Sequence, residues 1–406
     1  MTIAVFTRRL PENFLGGAEI HASLTAKALA KRGHRVWVVT GGRRDVTLNL
    51  GRLTIIRLQA FSFPHFLQTL FLPYWRFRFR KRVKRIVSEA DIVHAFDLDG
   101  ILLLSGWKEV ESKLVVTVQD YSIICPGGDL LTIEDKPCHC YADMMFRCHR
   151  RHEGRLLRRL YFQIAYPIRF TVRSRLFLRL PVVVFISRYV SLQFNRVFGK
   201  TLLAKTAVIG NFVPERWLHT SIRKGKRFDI LYVGRLEYYK GLGVLLDALA
   251  LLKKRGLPYQ VCIVGAGDIE VYKERVTELG LTANVSFAGE VAYSDIRAFY
   301  LQSRVVVVPS IWPEPCGRAV IEGMASGSVV VASSNGGTAE LLTDRETGFL
   351  VPANDPSALA NTIGQALSHY RELAGLRLRA RKHVLLHFVS HIVIRQYEEL
   401  YRRMVR

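Results

Sequence analysis

The sequence predicts an α/β protein built as two doubly wound domains, each a parallel sheet covered by helices. Three observations carry that expectation. The chain has 406 residues, too many for one ordinary core and suited to two domains of about 200 residues each. Short apolar runs of strand length alternate with longer amphipathic stretches, the rhythm of βαβ units. This alternation runs twice, restarting after the polar, basic stretch Thr220–Arg227.

The first series opens with a strand at Thr2–Thr7, a loop, and a helix from about Ala18 to Arg32. Gly33 closes that helix at the position where a left-handed residue is favoured. A strand at Val36–Thr40 follows, then apolar runs at Ile92–Ala95, Val115–Val118 and Val182–Ile186 of the kind a buried parallel sheet contains. The second series reads as strands at Ile230–Val233, Val261–Val264, Val285–Phe287, Val305–Val308 and Val329–Ala332. Helical segments between them include Gly241–Arg255 and Ala319–Ala325. The boundary falls near 214–227. Two such domains facing each other enclose a cleft, and ligands of doubly wound sheets sit at the carboxyl ends of the strands.

The formal charge is +25, and the first 200 residues carry +18 of it. That half should attract polyanions such as anionic lipid or nucleic acid. Its charge is diffuse, with no recognisable nucleic-acid module or stacking platform, so nucleic acid is not an expected partner. No apolar run reaches the roughly 18 residues of a spanning helix, and MTIAVFTRRLPE lacks the pattern of a signal peptide. The expected location is cytoplasmic, where the six cysteines stay reduced.

Three segments carry chemistry. In LGGAEIH, Gly16 and Gly17 stand between the first strand and the first helix, where glycines can hold positive φ and bring N–H groups close to a ligand. In ILYVGRLEYYKG, Arg235 and Lys240 emerge just past a strand, placed to neutralise a diphosphate without a metal ion. In VVVVPSIWPEPCGRAVIEGMASG, Glu314 lies in a Pro-flanked loop after a buried strand and Glu322 within the following helix. The helix start around Gly317, Arg318 and Ala319 can present N–H groups to a phosphate or a sugar hydroxyl. The same spacing recurs at Glu270 and Glu278, which lie on one helix face and read as solvated neighbours.

Together these segments resemble the retaining glycosyltransferases of family four, which have the GT-B fold of two Rossmann-like domains. The resemblance runs from GGAEIH through RGHRVWVVT, DIVHAFD, VVTVQD and VVFISRYV to FLVPANDPSALA, and the EPCGRAVIEGMASG block is its most specific part. It implies an acceptor-side domain at 1–213 and a nucleotide-sugar-binding domain at 214–388. By the same analogy a terminal helix at about 389–406 packs back on the first domain. It implies that Gly17 approaches the donor phosphates, that Arg235 and Lys240 bind the diphosphate, that Glu314 contacts the donor hexose, and that Glu322 contacts the ribose. The implied reaction retains anomeric configuration, uses a nucleotide-diphosphate sugar and needs no further cofactor. One departure stands out: where the family often has His-Asp after the strand reading VVTV, this chain has Gln119-Asp120. Glutamine can hydrogen-bond a hydroxyl but cannot take up a proton at neutral pH.

Other signals carry less. Asp97-Leu98-Asp99 matches a metal-holding pattern of other transferase folds, yet aspartates are common in loops after strands. Cys125, Cys138, Cys140 and Cys148, with His139, His149 and His152 close by, can hold zinc or pack as reduced thiols. The segments FLPYWRFRFRKRVKRI and GRLLRRLYFQIAYPIRFTVRSRLFLRL are basic and apolar, and in the second Leu156, Leu160, Ile164, Ile168, Val172 and Leu176 recur every fourth residue. That suits a helix on an anionic membrane, where a lipid-linked or surface-polysaccharide acceptor is reached, or a helix covering its own sheet. Pro167 should kink or divide it. The leading expectation is thus a membrane-surface transferase. The alternatives are a catalytically impaired sugar-nucleotide-binding protein and a basic polyanion-binding protein.

Overall fold

The computed structural model of the chain describes residues 1–10, 16–59, 72–96, 104, 107–125, 130, 166–199, 205–218 and 225–406. These fall into two compact units. One takes in the amino-terminal strand, Gly17–Gly210 and Val393–Arg406; the other takes in Gly16 and Asn211–Ile392.

In the first unit the strands are β1 (Thr2–Thr7), β2 (Arg35–Gly41), β3 (Val46–Leu50), β4 (Leu53–Leu58), β5 (Ile92–Ala95), β6 (Leu114–Val118), β7 (Val182–Phe185) and β8 (Thr206–Val208). They line up in the order β3-β4-β2-β1-β5-β6-β7-β8. All neighbours are parallel except β3 and β4. The runs read from sequence as buried strands are buried on both faces, as a sheet covered by helices requires. The β3–β4 hairpin was not expected. Its turn is Gly51-Arg52 with Gly51 at φ +67°, and β3 is exposed along its whole length. That short antiparallel ribbon ends the sheet.

Helix α1 (Gly17–Lys31) follows β1, and Gly33 at φ +93° ends it, with His34 N–H bonded to the Leu29 carbonyl at 3.2 Å. Helix α2 (Leu72–Glu89) is the first basic-apolar segment. It buries Phe79, Val83, Ile86 and Val87 against the sheet and leaves Arg78, Arg80, Lys81 and Arg85 exposed. Of the second such segment only α3 (Tyr166–Leu178) is described. Pro167 is the second described residue of this helix, and the residues before Tyr166, where the expected kink or division would show, lie outside the described ones. Helix α4 (Arg188–Phe198) is capped by Ser187, whose Oγ accepts from Val190 N–H at 3.2 Å.

The second unit has β9 (Phe228–Val233), β10 (Val261–Val264), β11 (Val285–Gly289), β12 (Ser303–Val308), β13 (Val329–Ser333) and β14 (Phe349–Val351), in the order β11-β10-β9-β12-β13-β14 and parallel throughout. The chain starts at β9, winds outward through β10 and β11, then returns to the other side of β9. The β9/β12 junction is therefore the topological switch point. Around it lie α5 (Leu242–Lys254), α6 (Ile269–Glu278), α7 (Ile296–Leu301), α8 (Arg318–Ala325), α9 (Pro356–Ser368) and α10 (Ala374–His387).

The last helix, α11 (Ser390–Val405), belongs to the first unit from Val393 onward. Its buried face is polar as well as aromatic. Tyr397 lies 3.1 Å from His21 Nε2, and Tyr401 lies 2.6 Å from His94 Nδ1, whose Nε2 meets Thr117 Oγ1 at 2.7 Å. Burial holds the His94 imidazole well below its usual proton affinity, so it stays neutral. Glu398, 3% exposed, receives both Arg32 Nε and Nη2 at 2.7 and 2.8 Å, with His34 Nε2 2.9 Å away. No helix of the described residues is long and apolar enough to cross a membrane.

Candidate active site

The carboxyl edge of the second sheet gathers several of the sequence-predicted residues at its switch point. After β9 the chain passes Gly234 and Arg235 into a 3₁₀ turn, Tyr238–Lys240, and Gly241 then opens α5. A side chain at Gly241 would place its Cβ 1.9 Å from the Pro309 carbonyl oxygen, and its φ is +75°. Only glycine lets the turn after β9 lie this close to the strand end of β12. Lys240 is thereby brought to the loop that follows β12. Its Nζ donates to Glu314 Oε1 at 2.7 Å, and Ser310 Oγ donates to Glu314 Oε2 at 2.7 Å.

The loop carrying Glu314 is fixed from two sides. Tyr239 accepts the N–H groups of Ile311 and Trp312 at 2.9 and 3.3 Å, and the Tyr239 and Trp312 rings stand 5.0 Å apart. From the other side Asn335 Nδ2 donates to the Ile311 carbonyl at 2.8 Å, and Gly337 N–H bonds the Glu314 carbonyl at 2.8 Å. Gly336, at φ +63°, allows this approach: a Cβ there would lie 2.4 Å from the Pro313 carbonyl carbon. Lys240 Nζ also sits 4.8 Å from the Trp312 ring centre. Burial pushes the Glu314 carboxyl up, but the Lys240 charge and hydrogen bond, the Ser310 hydroxyl and the Arg235 charge outweigh it. The net shift is downward, and Glu314 is an anion at neutral pH. Arg235 is exposed, pairs with Glu237 at 2.7 Å and donates to the Tyr239 hydroxyl at 2.8 Å.

Glu322, in α8, is 3% exposed. Tyr300 donates to its Oε2 at 2.8 Å, while Oε1 has no hydrogen-bond partner and lies 3.9 Å from Arg318 Nη1. Burial raises its proton affinity, against the opposing pull of Arg318 and of the Tyr300 and Tyr293 hydroxyls. Arg318 stands at the first position of α8. Its guanidinium is buried and donates to the Phe212 carbonyl at 2.8 Å and Asn211 Oδ1 at 3.0 Å, which leaves its backbone N–H as the part able to meet a ligand. Gly317 caps α8 in extended geometry. A Cβ there would lie 2.8 Å from Thr338 Oγ1, and Ala319 is half-buried in the first turn.

The first sheet holds the remaining candidates. Gly17 opens α1 without positive φ, and a Cβ there would meet nothing within 4 Å, so its service is open space rather than an unusual turn. Gln119, just past β6, donates from Nε2 to the Phe96 carbonyl at 2.9 Å and the Ala18 carbonyl at 3.3 Å. It therefore links the ends of β5 and β6 to the first turn of α1. Asp120 accepts from Ser122 N–H at 2.9 Å and is exposed. Asp97, Asp99, Cys138, Cys140, Cys148, His139, His149 and His152 lie outside the described residues. Cys125 is buried, and no metal-holding cluster occurs among the described residues.

Sequence reasoning missed Ser310, Trp312, Tyr239, Tyr300 and the Asn335–Gly337 loop. Only the last left a local signal, an Asn-Gly-Gly run directly after a buried strand.

Comparison with known families matches the model for Glycosyltransferase Family 4 to residues 15–217 and that for Glycosyl transferases group 1 to residues 215–383. The chain belongs to glycosyltransferase family four. A family-four enzyme of this kind is a retaining glycosyltransferase that uses nucleotide-sugar donors. An uncharacterized glycosyltransferase of Methanocaldococcus jannaschii is 26% identical over 391 residues, 91% of this chain and 90% of that protein. A phosphatidyl-myo-inositol mannosyltransferase of Mycobacterium leprae is 37% identical over 142 residues, 35% of this chain and 37% of that protein. Among solved structures, sucrose-phosphate synthase from Thermosynechococcus elongatus matches with a TM-score of 0.78 at 21% identity, covering 99% of this chain and 98% of that one. The glycosyltransferase thus has the GT-B fold.

Proposed function

We propose that this family-four enzyme moves a hexose from a nucleotide-diphosphate sugar to a hydroxyl of a lipid-linked or surface-polysaccharide glycan at a membrane face. The observation that carries the reading is the Lys240–Glu314–Ser310 cluster at the switch point of the second sheet. Lys240 uses one N–H on Glu314 and keeps two for phosphate oxygens, with Arg235 beside it on an exposed turn. Glu314, ionised and held from both oxygens, is suited to accept hexose hydroxyls. The unpartnered Oε1 of Glu322 is suited to accept a ribose hydroxyl. Backbone N–H groups at Gly317–Ala319 add donors for the phosphates.

In the reaction the bond from the anomeric carbon to the diphosphate oxygen breaks, and a bond to the acceptor oxygen forms on the same face. Lys240 and Arg235 stabilise the charge growing on the diphosphate, which takes the acceptor's proton. No protein base is assigned to that proton, which accommodates Gln119: its amide serves position, and Asp120 stands on the acceptor side. The Arg and Lys residues along α2, with Phe77 81% exposed among them, favour an anionic membrane surface. So does the likeness to a phosphatidyl-myo-inositol mannosyltransferase. A second reading, donor binding without turnover, rests on Gln119.

The test is a thermal-shift panel of UDP-, GDP-, ADP- and CMP-linked sugars on the wild type and Glu322→Ala, joined to an assay for nucleotide release. One nucleotide sugar should raise the wild-type melting temperature, by about 2.7 kcal/mol of stabilisation at a hundred times its Kd, and the variant should lose the response. A folded wild type that answers to none overturns the proposal. Binding without nucleotide release in the presence of lipid-linked acceptor selects the second reading.

A further inference from the structure

A second cationic cluster lies in the unit Asn211–Ile392, on elements that the Lys240 cluster does not use. Tyr293, Arg297 and Tyr300 are spaced four and three apart along the turn and helix that form α7, so they share one face. Both tyrosines pack on Trp217, with ring centres 6.2 and 5.4 Å away, which sets Arg297 against the same turn. That turn is Glu215–Trp217, with Arg216 exposed at its middle. Arg381 of α10 donates to the carbonyl of Leu218, the next residue. Three guanidinium groups from three separate elements thus gather at one short turn.

What Arg297 and the Trp217 indole lack is an acceptor. Trp217 Nε1 and the Nε and Nη2 groups of Arg297 are enclosed without a hydrogen-bond partner, and Trp217 is 1% exposed. Three orphaned donors in one place are unusual, since a buried N–H without an acceptor carries its whole desolvation cost. The acid of the turn, Glu215, is held 2.8 Å from His391, and Asp295 lies at the exposed start of α7. Neither Arg216 nor Arg297 has an ion-pair partner among the described residues. Burial, then the charges of Arg216 and Arg381, loosen the proton on Arg297, as expected of like charges without a counterion.

We propose that Arg216, Arg297 and Arg381, with the Trp217 indole N–H, form a binding site for a phosphate-class dianion, distinct from the corner of Arg235 and Lys240. Guanidinium forks match the oxygens of a tetrahedral phosphate, and a dianion balances Arg216 and Arg297 together better than a single carboxylate. The phosphate can belong to a soluble ester or to a lipid headgroup.

The experiment measures inorganic phosphate binding to the full chain by calorimetry at constant ionic strength, with chloride as the balancing anion. It is run on the wild type, Arg216→Gln, Arg297→Gln and Arg371→Gln. Arg216 and Arg371 are both exposed, so the two variants remove the same charge without threatening the fold. Arg216→Gln and Arg297→Gln should each weaken phosphate about tenfold or more, while Arg371→Gln should leave this binding event in place. A parallel arm uses phosphatidylcholine vesicles with and without phosphatidic acid. Binding that needs both phosphatidic acid and Arg216 assigns the phosphate to a lipid, and binding of inorganic phosphate alone assigns it to a soluble ester. Equal binding in wild type and Arg216→Gln in both arms, or no binding in either, overturns the site.

Discussion

Replacing Lys240 by Met isolates the electrostatics of the candidate site. It removes a cation 2.7 Å from Glu314 Oε1 where both side chains are only 15% exposed. At that separation and an effective dielectric of about 20, the gross attraction is about 6 kcal/mol before desolvation is set against it. Breaking a buried pair from one side costs about 3–5 kcal/mol, because the remaining charge is left unbalanced. Ser310 still donates to Oε2, so the lower end applies, about 3 kcal/mol at pH 7. For a unit of this size that is a melting-temperature fall of about 6–12 °C. The pH dependence is the sharper readout. In the wild type the Glu314 carboxyl is held below its ordinary 4.5, so its contribution is present above that value and lost as pH falls through the lowered one. Without Lys240, burial dominates and lifts the carboxyl above 4.5. Its contribution is then present at low pH and lost as pH rises. The gap between the two proteins should therefore widen from pH 4 to pH 7, as followed by circular-dichroism melts. A gap that stays constant over that range refutes the claim that Lys240 neutralises a buried carboxylate.

Two further outcomes follow from geometry described above. Glu398, drawn down to about 2 by the Arg32 hydrogen bonds, stabilises the fold above pH 4.5 and loses that contribution as pH falls toward 2. Glu398→Gln should cost about 3 kcal/mol in urea unfolding at pH 7 and little near pH 2; an equal cost at both excludes the ion pair as the cause. Gly336→Ala would drive a Cβ to within 2.6 Å of the Pro313–Glu314 backbone at φ +63°. It should weaken nucleotide-sugar binding at least tenfold while the α-helical signal persists, since the loop that positions Glu314 must shift; unchanged binding by calorimetry counts against that loop as the donor site.

How much of this was legible in advance depends on the range of each interaction. The βαβ rhythm is local, so β1, α1, β2 and the cores of β9 through β13 were readable from apolar runs, with ends off by up to two residues. The β3–β4 hairpin was not read, although Val46, Leu48 and Leu50 alternate with polar residues ahead of Gly51; the strand is exposed on both faces and belongs to no buried run of the kind that marked the others. β14 is three residues long, too short for any period. At the site, Lys240, Glu314 and Glu322 stood out by frame and motif. Their partners did not: Tyr300 lies 22 residues before Glu322, and Asn335 lies 24 residues after Ile311. Such contacts are made by sheet order, which no local window contains. The same holds for the side chain of Arg318, which turns back to Asn211 and Phe212, 107 and 106 residues away.

The two-part make-up of the first unit has a consequence for synthesis. Its sheet emerges from the ribosome early, but Tyr397, Glu398 and Tyr401 arrive only after the whole of Asn211–Ile392. At about 5–20 residues per second, that interval is on the order of 10–35 s. Throughout it His21 and His94 lack their tyrosine partners and Arg32 its carboxylate, so this face of the sheet stays open to water. The unit made second lies almost wholly within the single stretch Asn211–Ile392 and can close before the one made first, which leaves the older half of the nascent chain as the natural client of a chaperone.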